Sequence, residues 1–188
     1  MKIKKLLFAS ALLFSAYNAS AQTQVIAHRG FWKTEGSAQN SIAALLKADS
    51  IGCYGSEFDV WLAADDQLVV NHDPTFKGKR MENSPSTALT AIKLDNGESL
   101  PTLAKYLKAA QPLHTRLILE LKAHSTPLRE TKAIEKIVAL VKDMGLEERM
   151  EYITFSLHAT KEFIRLAPEG TPVYYLDGNL PPKELKEL

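Results

Sequence analysis

From Gln24 onward the chain alternates short apolar, β-rich runs with stretches of helical period, a pattern that folds as an α/β protein around a largely parallel sheet. The strand-like runs are residues 24–28, 55–62, 68–71, 117–122, 152–155 and 173–176. Two helical stretches stand between them. Residues 40–51 place Ile42, Leu45 and Leu46 on one face, and residues 128–144 repeat Ile134, Ile137, Val138, Val141 and Met144 at three- and four-residue spacing. Gly145 follows the second as a C-cap. Residues 74–100 are rich in turn formers and lack a period, so they read as a loop or small insertion.

One connection is too short for a helix. Between Asp59 and Leu68 the chain either turns a hairpin at Ala64-Asp65-Asp66-Gln67 or runs back extended over roughly 26 Å to start a parallel strand. Both routes bring Asp59 near His72. Six strands are counted, whereas a closed eight-stranded barrel takes about 250 residues. The chain is therefore either a smaller open sheet or a fragment of a barrel. The expected architecture is the fragment, a TIM (β/α) barrel truncated to about six βα units, with its C-terminal part missing.

The first residues follow a different rule. Lys2, Lys4 and Lys5 precede the apolar run from Leu6 to Phe14, and Ala19-Ser20-Ala21 has the small-residue spacing of a signal peptidase site. Residues 1–21 are expected to act as a signal peptide, leaving a domain of residues 22–188 that is periplasmic or secreted. The apolar run is too short for a permanent span, so no stable membrane insertion is expected after cleavage. Losing the three lysines takes the formal charge from +1 to −2. A mildly acidic domain lacks the concentrated basic surface that nucleic acid needs. Cys53 is the single cysteine and reads as a small core residue.

Ionisable residues inside apolar strands carry the chemistry. Glu57 and Asp59 are two apart and share a strand face, and Glu120 and Lys122 repeat that spacing after Leu117-Ile118-Leu119. Charges in a barrel interior are costly unless paired or bound to metal. Three carboxylates converging at strand ends make a hard oxygen site suited to Ca2+ or Mg2+, with Lys122 holding a phosphate oxygen or balancing the carboxylates. A structural ion-pair network, or an exposed strand face, is the alternative. His28 and His72 each end a strand, where α/β barrels build their sites, and their titration range suits an acid–base pair in phosphodiester cleavage. His114, His124 and His158 read as structural, with His124 the nearest of them to the site.

In order along the chain stand Ile26-Ala27-His28-Arg29-Gly30, Gln39-Asn40-Ser41, Glu57-Phe58-Asp59-Val60, Val69-Val70-Asn71-His72-Asp73, Leu100-Pro101-Thr102-Leu103 and Leu119-Glu120-Leu121-Lys122. This series resembles the opening motifs of the glycerophosphodiester phosphodiesterases, and Thr154-Phe155-Ser156 continues it more loosely. The resemblance implies a TIM barrel with His28 and His72 as the acid–base pair. It implies a divalent ion held by Glu57, Asp59 and Glu120, with Arg29 and Lys122 on the substrate phosphate. The implied reaction is hydrolysis of small-molecule glycerophosphodiesters to glycerol 3-phosphate and an alcohol. The chain departs from the family at Gln39-Asn40-Ser41, where Glu-Asn-Thr is usual. Two other readings share these residues: a lipid phosphodiesterase of the sphingomyelinase D or phosphatidylinositol phospholipase type, and a catalytically silent phosphate- or sugar-binding relative. The sequence carries no sign of oligomeric state.

Overall fold

A computed structural model describes residues 23–186. Residues 1–21, expected from the sequence to act as a signal peptide, lie outside the described residues. Among the described residues, the strands and α-helices in chain order are β1 (Ile26–Ala27), α1 (Ile42–Ser50), β2 (Gly55–Leu62), β3 (Leu68–Val70), β4 (Thr75–Phe76), β5 (Lys79–Arg80), α2 (Ser86–Thr90), α3 (Leu103–Ala110), β6 (Arg116–Leu121), α4 (Pro127–Asp143), β7 (Met150–Thr154), α5 (Leu157–Leu166), β8 (Val173–Tyr175) and α6 (Pro182–Leu185).

The central sheet runs β1-β2-β6-β7-β8, with every neighbouring pair parallel. Helices α1, α3, α4 and α5 stand in the crossovers between its strands, the alternation of an α/β barrel. The sheet is open over the described residues. The sixth strand breaks the pattern: β3 is antiparallel to β2, with Val60 opposite Val70 and Leu62 opposite Leu68. The short connection is thus a hairpin. Its turn closes through Ala63 N–H to Gln67 O at 2.8 Å, with Asp66 in the left-handed region at φ 59°. Residues 74–100 hold the β4–β5 hairpin and α2.

The helix-facing side of the sheet is apolar. Phe58, Val60 and Leu62 of β2 and Leu117, Leu119 and Leu121 of β6 form one core with Leu45 of α1, Leu107 of α3 and Ile137 of α4. Phe58 packs on Tyr106 with ring centroids 4.5 Å apart. Residues of β2 and β6 at the alternate positions point to the other face. All eight residues of β2 are buried, so that second face is covered too, and Glu57 and Asp59 lie on it.

Helices α3 and α5 carry the usual signals. Thr102 and Ser156 cap them by accepting from the N–H groups of Lys105 and Ala159. Leu103, Tyr106, Leu107 and Ala110 make the buried stripe of α3, while Ala159, Thr160 and Phe163 serve α5. Cys53 is only partly buried.

Candidate active site

Two edge partners share one side of β2. Its first half pairs with β1, where Ala27 faces Ser56, and its second half pairs with β3. Between them the chain leaving β1 returns Gly30 N–H to Glu57 O at 3.1 Å, and Asn71 N–H reaches Asp59 O at 3.0 Å. The backbones of the two acidic residues therefore anchor the two histidine-bearing turns. Gly30 makes this possible. It sits at φ +74°, and a Cβ there would lie 2.6 Å from Ala44 Cβ and 2.7 Å from the Ala44 carbonyl carbon, so only glycine lets the turn rest on α1.

On the other edge of β2, Asp59 stands opposite Glu120 of β6. One oxygen from each of Glu57, Asp59 and Glu120 lies within 4.8 Å of the others, and all three residues are buried. Lys122 Nζ donates to Glu120 Oε1 at 2.7 Å and Asp59 Oδ1 at 3.3 Å. Asn40, at φ 59°, clamps Asp59 from both sides: its Nδ2 donates to Asp59 Oδ2 at 2.8 Å, and its Oδ1 accepts Asp59 N–H at 3.1 Å. Glu57 Oε2 accepts the Arg29 backbone N–H at 2.7 Å, and its Oε1 is buried without a partner.

These donors fit a hard divalent cation. Three carboxylates meet one ammonium, which touches only two of them, and one buried oxygen of the third is unused. Burial first, then the Asp59 carboxylate, push Glu57 up to about 8. Burial opposes the charge of Lys122, but the bonds and charges of Glu120 and Asp59 outweigh it and hold the ammonium above its usual value.

Without a cation, the folded chain keeps a proton on Glu57 that the unfolded chain releases near its ordinary value of 4.5. That contribution is complete below the unfolded value and is lost as pH rises toward about 8, at up to about 1.4 kcal/mol per pH unit. His28 and His124, both held below their ordinary value, act in the opposite direction. Comparison with Glu57→Gln isolates the carboxyl. The melting temperature of metal-stripped wild type, minus that of Glu57→Gln, is expected to fall between about pH 5 and pH 8. A difference that stays flat in calorimetric scans would mean that Glu57 does not carry this proton.

His28 Nε2 lies 3.9 Å from Glu57 Oε2, with its side chain 68% exposed. Burial, then the Arg29 charge, hold it below the ordinary histidine range. His72 gives its Nδ1 to Asp73 Oδ1 at 2.7 Å, which leaves Nε2 for a ligand. Asn71 Nδ2 braces this turn on Asp73 O at 2.7 Å. The Arg29 guanidinium rests on Gln39, Nη1 to Oε1 at 2.5 Å, with Nε buried and unpartnered. Both histidines, the three carboxylates, Arg29 and Lys122 thus gather at one end of the sheet.

His124 has a different role. Its Nδ1 lies 2.6 Å from Lys122 O and its Nε2 accepts Leu62 N–H at 2.9 Å, which defines a neutral ring tying β2 to the end of β6. The ring packs against Trp61. His158 meets Thr131 Oγ1 at 2.8 Å on the helical layer, and His114 N–H is held by Asp49. Asn40 is the site residue that sequence reasoning did not single out. Its signal was its place just before the Ser41 cap of α1, within the Gln39-Asn40-Ser41 motif.

Beside His72 opens a cleft of about 260 Å³, bordered by Trp32, Gln39, Asn71 and Phe76. No helix among the described residues is long and apolar enough to cross a membrane.

The chain matches no protein-family model. It is 55% identical to a glycerophosphodiester phosphodiesterase from Parabacteroides distasonis, whose crystal structure it matches with a TM-score of 0.85 over 87% of this chain and 69% of that one. The structure of an Oleispira antarctica phosphodiesterase in complex with the product sn-glycerol-3-phosphate matches with a TM-score of 0.73 at 26% identity, over 88% of this chain and 70% of that one. A curated glycerophosphodiester phosphodiesterase from Caldanaerobacter subterraneus subsp. tengcongensis is 30% identical over 161 residues, 78% of this chain. The chain spans 64% of the length of that relative.

Proposed function

Because the chain belongs to the glycerophosphodiester phosphodiesterase family, we propose that it hydrolyses glycerophosphodiesters to glycerol 3-phosphate and an alcohol. The observation that carries this reading is that the turns bearing His28 and His72 are anchored, through Gly30 and Asn71, on the backbones of Glu57 and Asp59. Two imidazoles flanking a carboxylate cluster suit in-line displacement at phosphorus. One takes a proton from the nucleophile, either water or the substrate's neighbouring hydroxyl, and the other gives a proton to the leaving oxygen.

Glu57, Asp59 and Glu120 would hold a divalent cation, Ca2+ or Mg2+, which supplies Lewis-acid stabilisation of charge on the phosphoryl oxygens. Lys122 spends two of its three N–H groups on Glu120 and Asp59, and the third remains for a phosphate oxygen. Arg29 holds Glu57 through its backbone and offers its guanidinium from the Gln39 side. Asn40 fixes the Asp59 carboxylate, and Asp73 orients the His72 ring.

Product identity tests the reading. With a glycerophosphodiester and a divalent ion, phosphorus NMR is expected to find glycerol 3-phosphate, with the alcohol released free. Cleavage of intact lipid vesicles in preference to deacylated substrate would favour the lipid phosphodiesterase reading instead. Saturable binding without turnover would leave a silent binding module.

A further inference from the structure

We propose that the cleft beside His72 receives the alcohol half of the substrate, and that it favours a neutral, hydroxyl-rich alcohol over a quaternary ammonium. The inference rests on the phosphodiesterase reading above and adds the substrate class.

The position follows from the lining. His72 and Asn40, which belong to the catalytic cluster, form one wall, and Trp32 and Phe76 are on the cleft as well. An alcohol leaving a phosphorus bound at the carboxylates next to His72 has this space beside it.

The preference follows from what the walls have already spent. An aromatic pair near carboxylates is the usual receptor for a quaternary ammonium. Here both rings already hold an ammonium: Lys33 Nζ is 5.2 Å from the Trp32 centroid and Lys77 Nζ is 5.4 Å from that of Phe76. The carboxylates are engaged too. Asp73 is bonded to His72, and Asp95 lies 3.7 Å from Lys77 Nζ. Lys33 lines the cleft itself, so a further cation there would meet a like charge at the Trp32 wall.

Hydroxyl groups meet a better surface. Gln39 uses Oε1 on Arg29, which leaves Nε2 as a donor, and Asn71 uses Nδ2 on Asp73 O, which leaves Oδ1 as an acceptor. Each carboxylate of Asp73 and Asp95 has a second oxygen to accept an O–H. Such half-spent groups bind a polyol at several points, and they discriminate against an alcohol that cannot fill them.

Two measurements on the purified protein decide this. The first is kcat/KM for glycerophosphoinositol or glycerophosphoglycerol against glycerophosphocholine, expected to favour the polyols by about tenfold or more. Replacing Lys33 and Lys77 together by alanine frees both rings and Asp95, and is expected to raise the choline substrate selectively. Equal or better turnover of glycerophosphocholine by wild type would overturn the preference. A loss in the double variant that falls equally on all substrates would mean that the cleft holds the shared glycerol half. The second measurement needs no turnover. Of the two tryptophans, Trp61 is buried and Trp32 lines the cleft, so fluorescence reports on the cleft. Myo-inositol is expected to perturb it saturably at concentrations where choline does not, and the reverse order would overturn the proposal. If no glycerophosphodiester is hydrolysed, the parent reading fails, and the fluorescence order still decides the cleft's preference.

Discussion

Replacing His28 or His72 by alanine is expected to lower turnover by about two to four orders of magnitude, the usual contribution of a positioned proton transfer. The fold should survive both changes. His28 is a largely exposed side chain at the end of β1, and the bond of the His72 ring is to the neighbouring, exposed Asp73, while its carbonyl, which accepts from Trp61, is kept in the alanine variant. Removing both should cost far less than the product of the single losses, because groups acting as a unit are non-additive. His124→Ala makes the contrast. It leaves Leu62 N–H and Lys122 O without partners, so its cost is in stability, about 1–3 kcal/mol for the unsatisfied groups. His114→Ala and His158→Ala should change turnover within a small factor. Steady-state kinetics beside thermal melts separate the cases, and a His72→Ala enzyme of near-normal turnover would remove that residue from the proton transfers.

The second large effect concerns the carboxylates, and glutamine is the informative replacement. Glu57→Gln keeps an oxygen to accept the Arg29 N–H, and Glu120→Gln keeps one to accept from Lys122, so each removes charge with little change of shape. Both variants should fold, and the metal-free form of Glu57→Gln should be the more stable at alkaline pH. Turnover should fall by about three orders of magnitude, since charge stabilisation at the phosphoryl oxygens is lost. Divalent-ion affinity, read by calorimetric titration, should fall with it. Ordinary ion binding and turnover in Glu120→Gln would leave that carboxylate as a structural partner of Lys122.

Much of this arrangement is legible from the residues alone. The strands fall within a few residues of expectation because each is a short apolar run bounded by glycine, proline or polar residues, and burial on both faces allows such runs. Glu57, Asp59, Glu120 and Lys122 stand out because charges at alternate positions of buried strands need a partner. The route from Asp59 to Leu68 was open because both a hairpin and an extended return fit eight residues. Asp66 in the left-handed region decides for the hairpin, and a backbone angle is not written in residue type. Helices α3 and α5 have caps and buried stripes that are present in the sequence, yet they run for only eight and ten residues, where the seventeen of α4 repeat the pattern over more turns. Asn40 was passed over for a different reason. Its bond to Asp59 spans 19 positions, and its function appears only when the end of β2 comes beside α1. His124 likewise owes its structural role to Leu62, 62 positions away.

The central claim is that Glu57, Asp59 and Glu120 hold the divalent ion on which phosphodiester cleavage depends. It is tested most directly by following glycerol 3-phosphate release while Ca2+ or Mg2+ is titrated into chelator-stripped protein. Release is predicted to start from background and to rise to a plateau as one ion binds per chain. Full release before any ion is added would contradict the account.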